Sequence, residues 1–189
     1  MDFNHFKKEE SELMYRGIFT EVYQRNFTRG RYEYVVLPDT VRVVGVTKKG
    51  KILMIREKLF SYDKLFHAMP GGAVEKGERP IETAKRELNE ETGFDSDEIE
   101  LWFSQNYSQT IISRKYFFIA RNCAKKNSAN LESTEDIKTI EADLAEFTKL
   151  VLCDSFKHIE LQNKIYKMKF DNSYRQEFVD RFSIDLVNV

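Results

Sequence analysis

Three glutamates that fall within one and a half helical turns, Glu87, Glu90 and Glu91, form the feature most able to do chemistry. In a helix these positions lie within an arc of roughly 100° on one face. Like charges three and four residues apart repel and weaken a helix, so this grouping needs a reason. A hard divalent cation supplies one, because Mg²⁺ is bound by carboxylate oxygens together with substrate phosphate. The alternative is a solvated acidic helix face with ordinary surface pairs.

The residues around these glutamates favour the cation site over the solvated face. Arg86 lies four residues before Glu90 and could orient its carboxylate. Gly71 and Gly72 precede the helix and would let the backbone approach a ligand closely. A carbonyl exposed there could serve as one more metal ligand, and the Gly77-Glu78 pair turns the chain into the helix.

A central helix and a set of strands must position these groups. The helix is predicted to start near Pro80, a favourable first-turn residue, and to end at Gly93, which is well suited to follow a helix. Its apolar stripe would seat it on a sheet. Strands are predicted at 17–28, 31–37, 41–46, 52–56, 64–69, 98–103, 115–123 and 137–142, and further helices at 155–170 and about 174–182. Because strands and helices do not alternate strictly, an α/β sandwich with a mixed sheet fits better than a doubly wound parallel sheet.

Composition and charge exclude several classes of protein. A chain of 189 residues with 41% apolar residues is expected to form one domain with a sizeable core. Lys and Arg number 30 and Asp and Glu 31, so the net charge of −1 gives no global attraction to nucleic acid or anionic lipid. Two cysteines cannot form a disulfide framework or a zinc motif. The charged N-terminus is neither a secretory signal nor a membrane span, so a soluble cytoplasmic protein is expected.

The stretch from Gly72 to Phe94 resembles the Nudix box. That motif reads Gly, five residues, Glu, seven residues, Arg-Glu, a bulky apolar residue, any residue, Glu-Glu, any residue, Gly and an apolar residue. Every position is met, with aromatic Phe94 where the family more often has an aliphatic residue. The strand order resembles the Nudix fold from about 41 to 151. The resemblance implies a Nudix-type α/β/α sandwich with a mixed β-sheet, in which 1–40 form an N-terminal β-hairpin extension and 41–189 the Nudix hydrolase domain with C-terminal helices.

The resemblance also implies an activity, which is Mg²⁺-dependent hydrolysis of the pyrophosphate bond in a nucleoside diphosphate derivative. The products would be a nucleoside monophosphate and a phosphorylated moiety. By this resemblance Glu87 and Glu91 are the main ligands of Mg²⁺, with Mn²⁺ as a second candidate cation. Glu90 is a ligand or a proton acceptor, Gly71 donates its carbonyl to the metal, and Arg86 orients the helix and loop together with Glu78.

Residues outside the box are less specific candidates. Glu135, in the acidic segment 132–137, resembles an auxiliary ligand or base of related enzymes, against the alternative of a solvated acidic loop. Arg56, Lys58 and Arg114 could contact phosphate, although such cations more often lie free on the surface. Three aromatic residues could stack on a base, with core packing as the alternative role: Tyr107, Trp102 and Phe60.

The overall plan resembles the branch that acts on ADP-ribose and nucleoside diphosphate sugars. The N-terminal extension of that branch commonly exchanges between subunits, so a homodimer with a small-molecule substrate is expected, with neither membrane nor nucleic acid as partner. The chain departs from the branch in having Pro70-Gly71-Gly72 instead of Pro-Ala-Gly, and in having no proline after Pro80. The alternatives are a hydrolase of dinucleoside polyphosphates or capped RNA, and a non-catalytic Nudix-like nucleotide sensor.

Overall fold

The computed structural model describes residues 6–58, 64–131 and 136–184. Its strands are β1 (Glu12–Arg16), β2 (Glu21–Phe27), β3 (Gly30–Val36), β4 (Thr40–Thr47), β5 (Ile52–Lys58), β6 (Leu65–Ala68), β7 (Phe94–Asp95), β8 (Glu98–Asn106), β9 (Ile111–Ile112), β10 (Arg114–Lys125) and β11 (Ile137–Ala142). Its helices are α1 (Pro80–Thr92), α2 (Leu144–Val151), α3 (Ile159–Phe170) and α4 (Asn172–Phe182). None of the helices in these ranges combines the length and apolarity that crossing a bilayer requires.

The strands form two sheets. The larger sheet runs in the order β11, β5, β4 and β10, with β6 added to β5 and with β7 and β8 added to β10. Strand β10 is parallel to β4 and antiparallel to β8, so the sheet is mixed, as predicted. The smaller sheet has the order β1, β2, β3 and β9, and contains the predicted N-terminal hairpin. Strand β9, which lies between β8 and β10 in the chain, connects the two sheets.

Helices cover both faces of the larger sheet. Alternation along β4 points Val41 and Val43 toward α1, where they pack with Leu88. Val44 faces the opposite side, where α2, α3 and α4 enclose a second and larger core around Phe147. The predicted α/β/α sandwich is therefore confirmed, and the first half of β4 passes directly beneath the residues of the glutamate helix.

The structure differs from the sequence-based prediction in several elements. Helix α2 and the short strands β1, β7 and β9 were not predicted. Helix α3 begins at Ile159 rather than near Ser155, because the residues before it are held at the sheet edge. The His67 N–H donates to the Ser155 carbonyl at 2.9 Å, and the Lys157 N–H donates to the His67 carbonyl at 3.0 Å. Extended backbone is required for these bonds, so the helix can start only after them.

Candidate active site

The glycine segment before the helix lies alongside the first half of β4. The Val41 N–H donates to the Gly72 carbonyl at 2.9 Å, and the Val43 N–H donates to the Pro70 carbonyl at 2.8 Å. Gly71 between them has a φ of +142°, and a Cβ there would lie 2.9 Å from the carbonyl carbon of Val41. Only glycine therefore fits this close approach to the strand.

Two of the three clustered helix glutamates, Glu87 and Glu91, face this glycine backbone. Glu91 is only 6% exposed, and its Oε2 accepts the Gly71 N–H at 2.7 Å. The carboxylate of Glu87 lies against Gly72, since a Cβ added to Gly72 would be 2.7 Å from the Glu87 Cδ. The absence of a side chain at both glycines thus makes room for two acidic groups beside an accessible main chain.

Arg86 connects the glutamate helix to the loop before it. Its Nη1 lies 2.9 Å from Glu87 Oε1 and 2.9 Å from Glu90 Oε2. Its Nε and Nη2 each donate to a different oxygen of Glu78 at 3.2 Å. The Arg86 guanidinium lowers the pKa of the Glu78 carboxyl, and Glu78 in turn raises the pKa of Arg86. The Arg86 guanidinium therefore offsets the repulsion among the carboxylates of Glu78, Glu87 and Glu90. It also fixes the position of the loop that leads into α1.

The donor set fits a hard divalent cation. Within 6–58, 64–131 and 136–184, no three acidic, histidine or cysteine side chains are already gathered as a metal cluster. Glu90 is 40% exposed and turns to Arg86, while Glu87 and Glu91 face the glycines. Mg²⁺ and similar hard cations bind oxygen ligands, and this site offers carboxylate oxygens beside backbone carbonyls. Glu87, Glu90, Glu91 and the Gly71 carbonyl could hold such an ion once substrate phosphate completes the set.

The predicted phosphate contacts lie at one end of the larger sheet, the end at which β4 begins. Lys58 is the last residue of β5, and its N–H donates to the Asp136 carbonyl at 3.1 Å. Arg114 is the first residue of β10 and donates from Nε to Asn106 Oδ1 at 3.1 Å. Arg56 lies opposite His67 in the β5–β6 pair. Arg56 and Lys58 thus share β5, and Arg114 is on β10. Glu135 and Phe60 lie outside the described residues.

The two described aromatic candidates have different surroundings. Trp102 packs edge-on against Phe178 and Phe182 of α4, with ring centroids 5.7 and 5.0 Å apart, so it belongs to the core. Tyr107 is exposed, and Lys115 Nζ lies 4.6 Å from the centre of its ring. Tyr107 is therefore the one of these two whose ring has a face toward solvent.

Sequence reasoning missed a group of buried polar residues on the face of the sheet opposite α1. Lys115 and Glu160 form an ion pair at 2.8 Å with each side chain only 8% exposed. His158 is 2% exposed, and its hydrogen bond is to the Met69 backbone. A sequence signal for this group does exist, because Arg42 interrupts the otherwise apolar run of β4.

The fold and this arrangement define the class of protein. The family model for the NUDIX domain matches residues 36–164. The chain belongs to the NUDIX family, and the predicted membership of the Nudix hydrolase family is confirmed.

The chain is also similar to individual proteins. It is 34% identical over 127 residues to the methanol dehydrogenase activator of Bacillus methanolicus, covering 64% of this chain and 66% of that protein. It is 30% identical over 131 residues to the ADP-ribose pyrophosphatase of Bacillus subtilis (strain 168), covering 67% of this chain and 69% of that protein. The chain thus spans about two thirds of the length of these relatives. The crystal structure of an ADP compounds hydrolase shares the fold, with a TM-score of 0.68 over 90% of this chain and 91% of that chain, at 19% identity.

Proposed function

We propose that the protein hydrolyses the pyrophosphate bond of a nucleoside diphosphate derivative of the ADP-ribose or nucleotide-sugar class. A nucleoside monophosphate and a phosphorylated moiety would be released. The observation that carries this proposal is the buried Glu91 carboxylate bonded to the Gly71 backbone, with Glu87 beside it. The similarity to an ADP-ribose pyrophosphatase supports the substrate class.

The reaction needs charge neutralisation, since the oxygens of a diphosphate repel a nucleophile. Mg²⁺, or Mn²⁺ in its place, would supply that neutralisation when held by Glu87, Glu90, Glu91 and the Gly71 carbonyl. Glu90 is the most exposed of the three carboxylates and is positioned by Arg86, so it is our first candidate to accept the proton of the attacking water. Glu135 is the second candidate.

The substrate phosphates need further positive charge at the site. We assign this role to Arg56 and Lys58, near the end of β5, and to Arg114, at the start of β10, because they lie at the end of the larger sheet where the glycine segment lies. Arginine suits such contacts because its planar guanidinium binds two phosphate oxygens at once. Replacement of each by alanine should raise KM more than it lowers kcat.

A substrate panel tests the proposed activity. Phosphatase-coupled phosphate release would be measured with ADP-ribose, nucleoside diphosphate sugars, NADH, dinucleoside polyphosphates and capped RNA, each with Mg²⁺ and with EDTA. We expect turnover of ADP-ribose or a nucleotide sugar that EDTA abolishes. Equal release in EDTA would overturn the metal mechanism. Turnover confined to the dinucleoside polyphosphates or capped RNA would favour that alternative, and tight nucleotide binding without product would favour the sensor.

We also propose that 1–40 form an extension that pairs two copies of the chain. All five residues of β1 are exposed, and the turn after it presents Ile18 and Phe19 at 91% and 73% exposure. Contiguous apolar surface of this kind usually marks an interaction site. The extension also resembles that of the ADP-ribose and nucleotide-sugar branch, and this resemblance implies a homodimer as the assembly.

The chemistry of the cysteines supports a reducing compartment, and we propose the cytoplasm. Cys123 and Cys153 are both free thiols. Burial raises the pKa of Cys123 to about 12, so this thiol is protonated and unreactive at neutral pH.

A further inference from the structure

The last turn of α1 carries two of the three carboxylates that would hold a cation. Glu90 and Glu91 both lie in this turn, since the helix ends at Thr92. The final carbonyls of a helix have no partner within the helix, so helix ends fray and their side chains are poorly fixed. These two carboxylates therefore keep a defined position only if groups outside α1 bind the carbonyls at its end.

The residues that follow β10 supply such groups from their main chain. The Asn130 N–H donates to the Glu90 carbonyl at 2.8 Å. The N–H groups of Lys126 and Asn127 donate to the Gly93 carbonyl at 2.9 and 3.2 Å. The chain after β10 is thus hydrogen-bonded to the end of the glutamate helix at two of its carbonyls.

Lys125, the last residue of β10, adds a bond from its side chain. Its Nζ donates to the Thr92 carbonyl at 2.6 Å and lies 4.9 Å from the centre of the Phe94 ring. A Cβ on Gly93 would be 3.1 Å from this Nζ and 3.0 Å from the carbonyl carbon of Asn127. The glycine that ends the helix therefore lets the lysine and the chain after it approach closely.

Strand β11 supplies the remaining donor. The Thr139 hydroxyl donates to the Glu91 carbonyl at 3.4 Å. All four carbonyls at 90–93 therefore accept a hydrogen bond from a group outside α1. We call 125–130 together with Thr139 the helix-end clamp. A cation needs such a clamp, because its ligands must be held to within about 0.5 Å of their binding positions.

We propose that Lys125 is a positioning residue for the cation that Glu87, Glu90 and Glu91 would hold. It acts through the Thr92 carbonyl, which fixes the last turn of α1 and with it the backbone of two of the three ligands. This inference rests on the proposed function, because that function requires the cation. Binding of the cation can nevertheless be measured without turnover.

The positive charge of Lys125 separates positioning from a simple electrostatic effect. An ammonium group near the site repels a divalent cation, so its removal would tighten metal binding if charge were its only contribution. Loss of the bond to the Thr92 carbonyl would instead loosen the last turn and weaken metal binding. The two roles therefore predict changes of opposite sign.

The test is a titration of Mn²⁺ into the full chain, followed by loss of the free-ion EPR signal at a temperature where all variants are folded. We expect Lys125→Met to weaken Mn²⁺ binding at least about tenfold. Lys125→Arg keeps a donor for the Thr92 carbonyl and a cation beside Phe94, so it should restore most of the affinity. Lys126→Met removes the same charge from an exposed neighbour but keeps its N–H bond, and it should leave affinity unchanged.

A neutral substitution in the clamp keeps the result interpretable. Thr139→Val removes the hydroxyl without changing side-chain shape or charge, and should weaken Mn²⁺ binding by less, because its bond is long. Unaltered or tighter binding in Lys125→Met, or an equal loss in Lys126→Met, would overturn the positioning role. A natural chain that binds no Mn²⁺ would overturn both the metal site and this inference. Binding that depends on Lys125 without any hydrolysis in the substrate panel would overturn only the proposed function.

Discussion

Glu91 combines burial with a titratable carboxyl group, a costly combination in a protein interior. A buried carboxylate is tolerated only where hydrogen bonds or charges compensate its lost hydration. The Gly71 N–H provides one such bond, and the φ of Gly71 is what brings that N–H to the carboxylate. The helix and the glycine segment therefore depend on each other, and this mutual dependence supports a role for Glu91 in binding rather than in simple packing.

The Glu91→Gln variant tests that role at the level of a single residue. Glutamine can still accept the Gly71 N–H but lacks the negative charge that a cation requires. We expect kcat to fall by at least about a hundredfold, which corresponds to several kcal/mol of barrier. Glu82→Gln, an exposed position on the same helix, should cost little activity. A loss below tenfold in Glu91→Gln would count against the assigned role.

Substitution of Gly72 is also expected to impair the site, for a steric reason. A Cβ at this position would be 2.7 Å from the Glu87 Cδ, which is too close for the carboxylate to stay in place. Gly72→Ala should therefore lower kcat by at least about tenfold and cost about 1–3 kcal/mol of unfolding free energy through overpacking. Steady-state kinetics and urea unfolding measure the two effects. Full activity in Gly72→Ala would mean that the Glu87 carboxylate works from another position.

At the scale of elements, we expect the stability of the link between α1 and the loop before it to depend on pH. The Arg86 guanidinium lowers the folded-state pKa of Glu78 below its ordinary value of 4.5. A lowered folded pKa contributes stability that is present above the unfolded value and is lost as the pH falls through the folded pKa. Glu78→Gln should thus reduce the free energy of unfolding by about 1–2 kcal/mol at pH 7.

In acid, the free energy of unfolding of the Glu78→Gln variant should become equal to that of the natural chain. Urea unfolding at pH 7 and at successively lower pH values would follow the difference between the two proteins. Glu9→Gln, in an exposed turn, serves as the control for loss of a carboxylate without a buried partner. A destabilisation by Glu78→Gln that stays constant into acid would show that shape, rather than the ion pair, holds the loop to the helix.

Helix α2 offers a test of local capping. Asp143 precedes the helix, and its side chain accepts the Glu146 N–H at 2.8 Å. Asp143→Ala should cost about 1 kcal/mol of unfolding free energy, because an N–H of the first turn would lose its acceptor. Asp143→Asn keeps an acceptor and should cost much less. Equal losses in the two variants would assign the effect to charge, since Lys51 Nζ also lies 3.8 Å from Asp143.

Sequence alone predicted the elements that carry strong local signals. Helix α1 has a proline at its start and Gly93 in the left-handed region at its end, with a φ of +71°, and both boundaries were predicted. Helix α2 has only eight residues and a short apolar pattern, so it was missed. The start of α3 was misplaced because the bonds between His67 and Ser155 join residues far apart in the chain.

The residues of the candidate site also fall into those that the sequence predicted and those that it missed. The box glutamates were found because their spacing within one helix is a local pattern. The buried Lys115–Glu160 ion pair was not found, because strand β10 and the start of helix α3 meet only through tertiary packing. Register between β4 and β10, which brings Thr40 opposite Lys115, cannot be read from either strand alone.

At the scale of the whole molecule, the two sheets are joined through a small contact. The Val35 N–H donates to the Thr110 carbonyl at 2.8 Å, and the Leu37 N–H donates to the Ile112 carbonyl at 3.1 Å. These bonds involve Thr110 and β9, which is a strand of only two residues. A four-stranded sheet attached in this way and exposing apolar residues gains stability if a second copy of the chain covers it.

Sedimentation would test this pairing through the turn between β1 and β2. We expect sedimentation to give the natural chain a mass of twice the 22.4 kDa of one chain. The double variant Ile18→Glu, Phe19→Glu should have a mass of 22.4 kDa, because pairing would require two charges to be desolvated within an apolar contact. Both residues are almost fully exposed, so the unfolding temperature of the isolated chain should change little. Phe170→Glu makes the same change at the exposed end of α3 and should leave the dimer intact. A natural chain that sediments as a monomer at micromolar concentration, or a double variant that remains a dimer, would contradict pairing through this sheet.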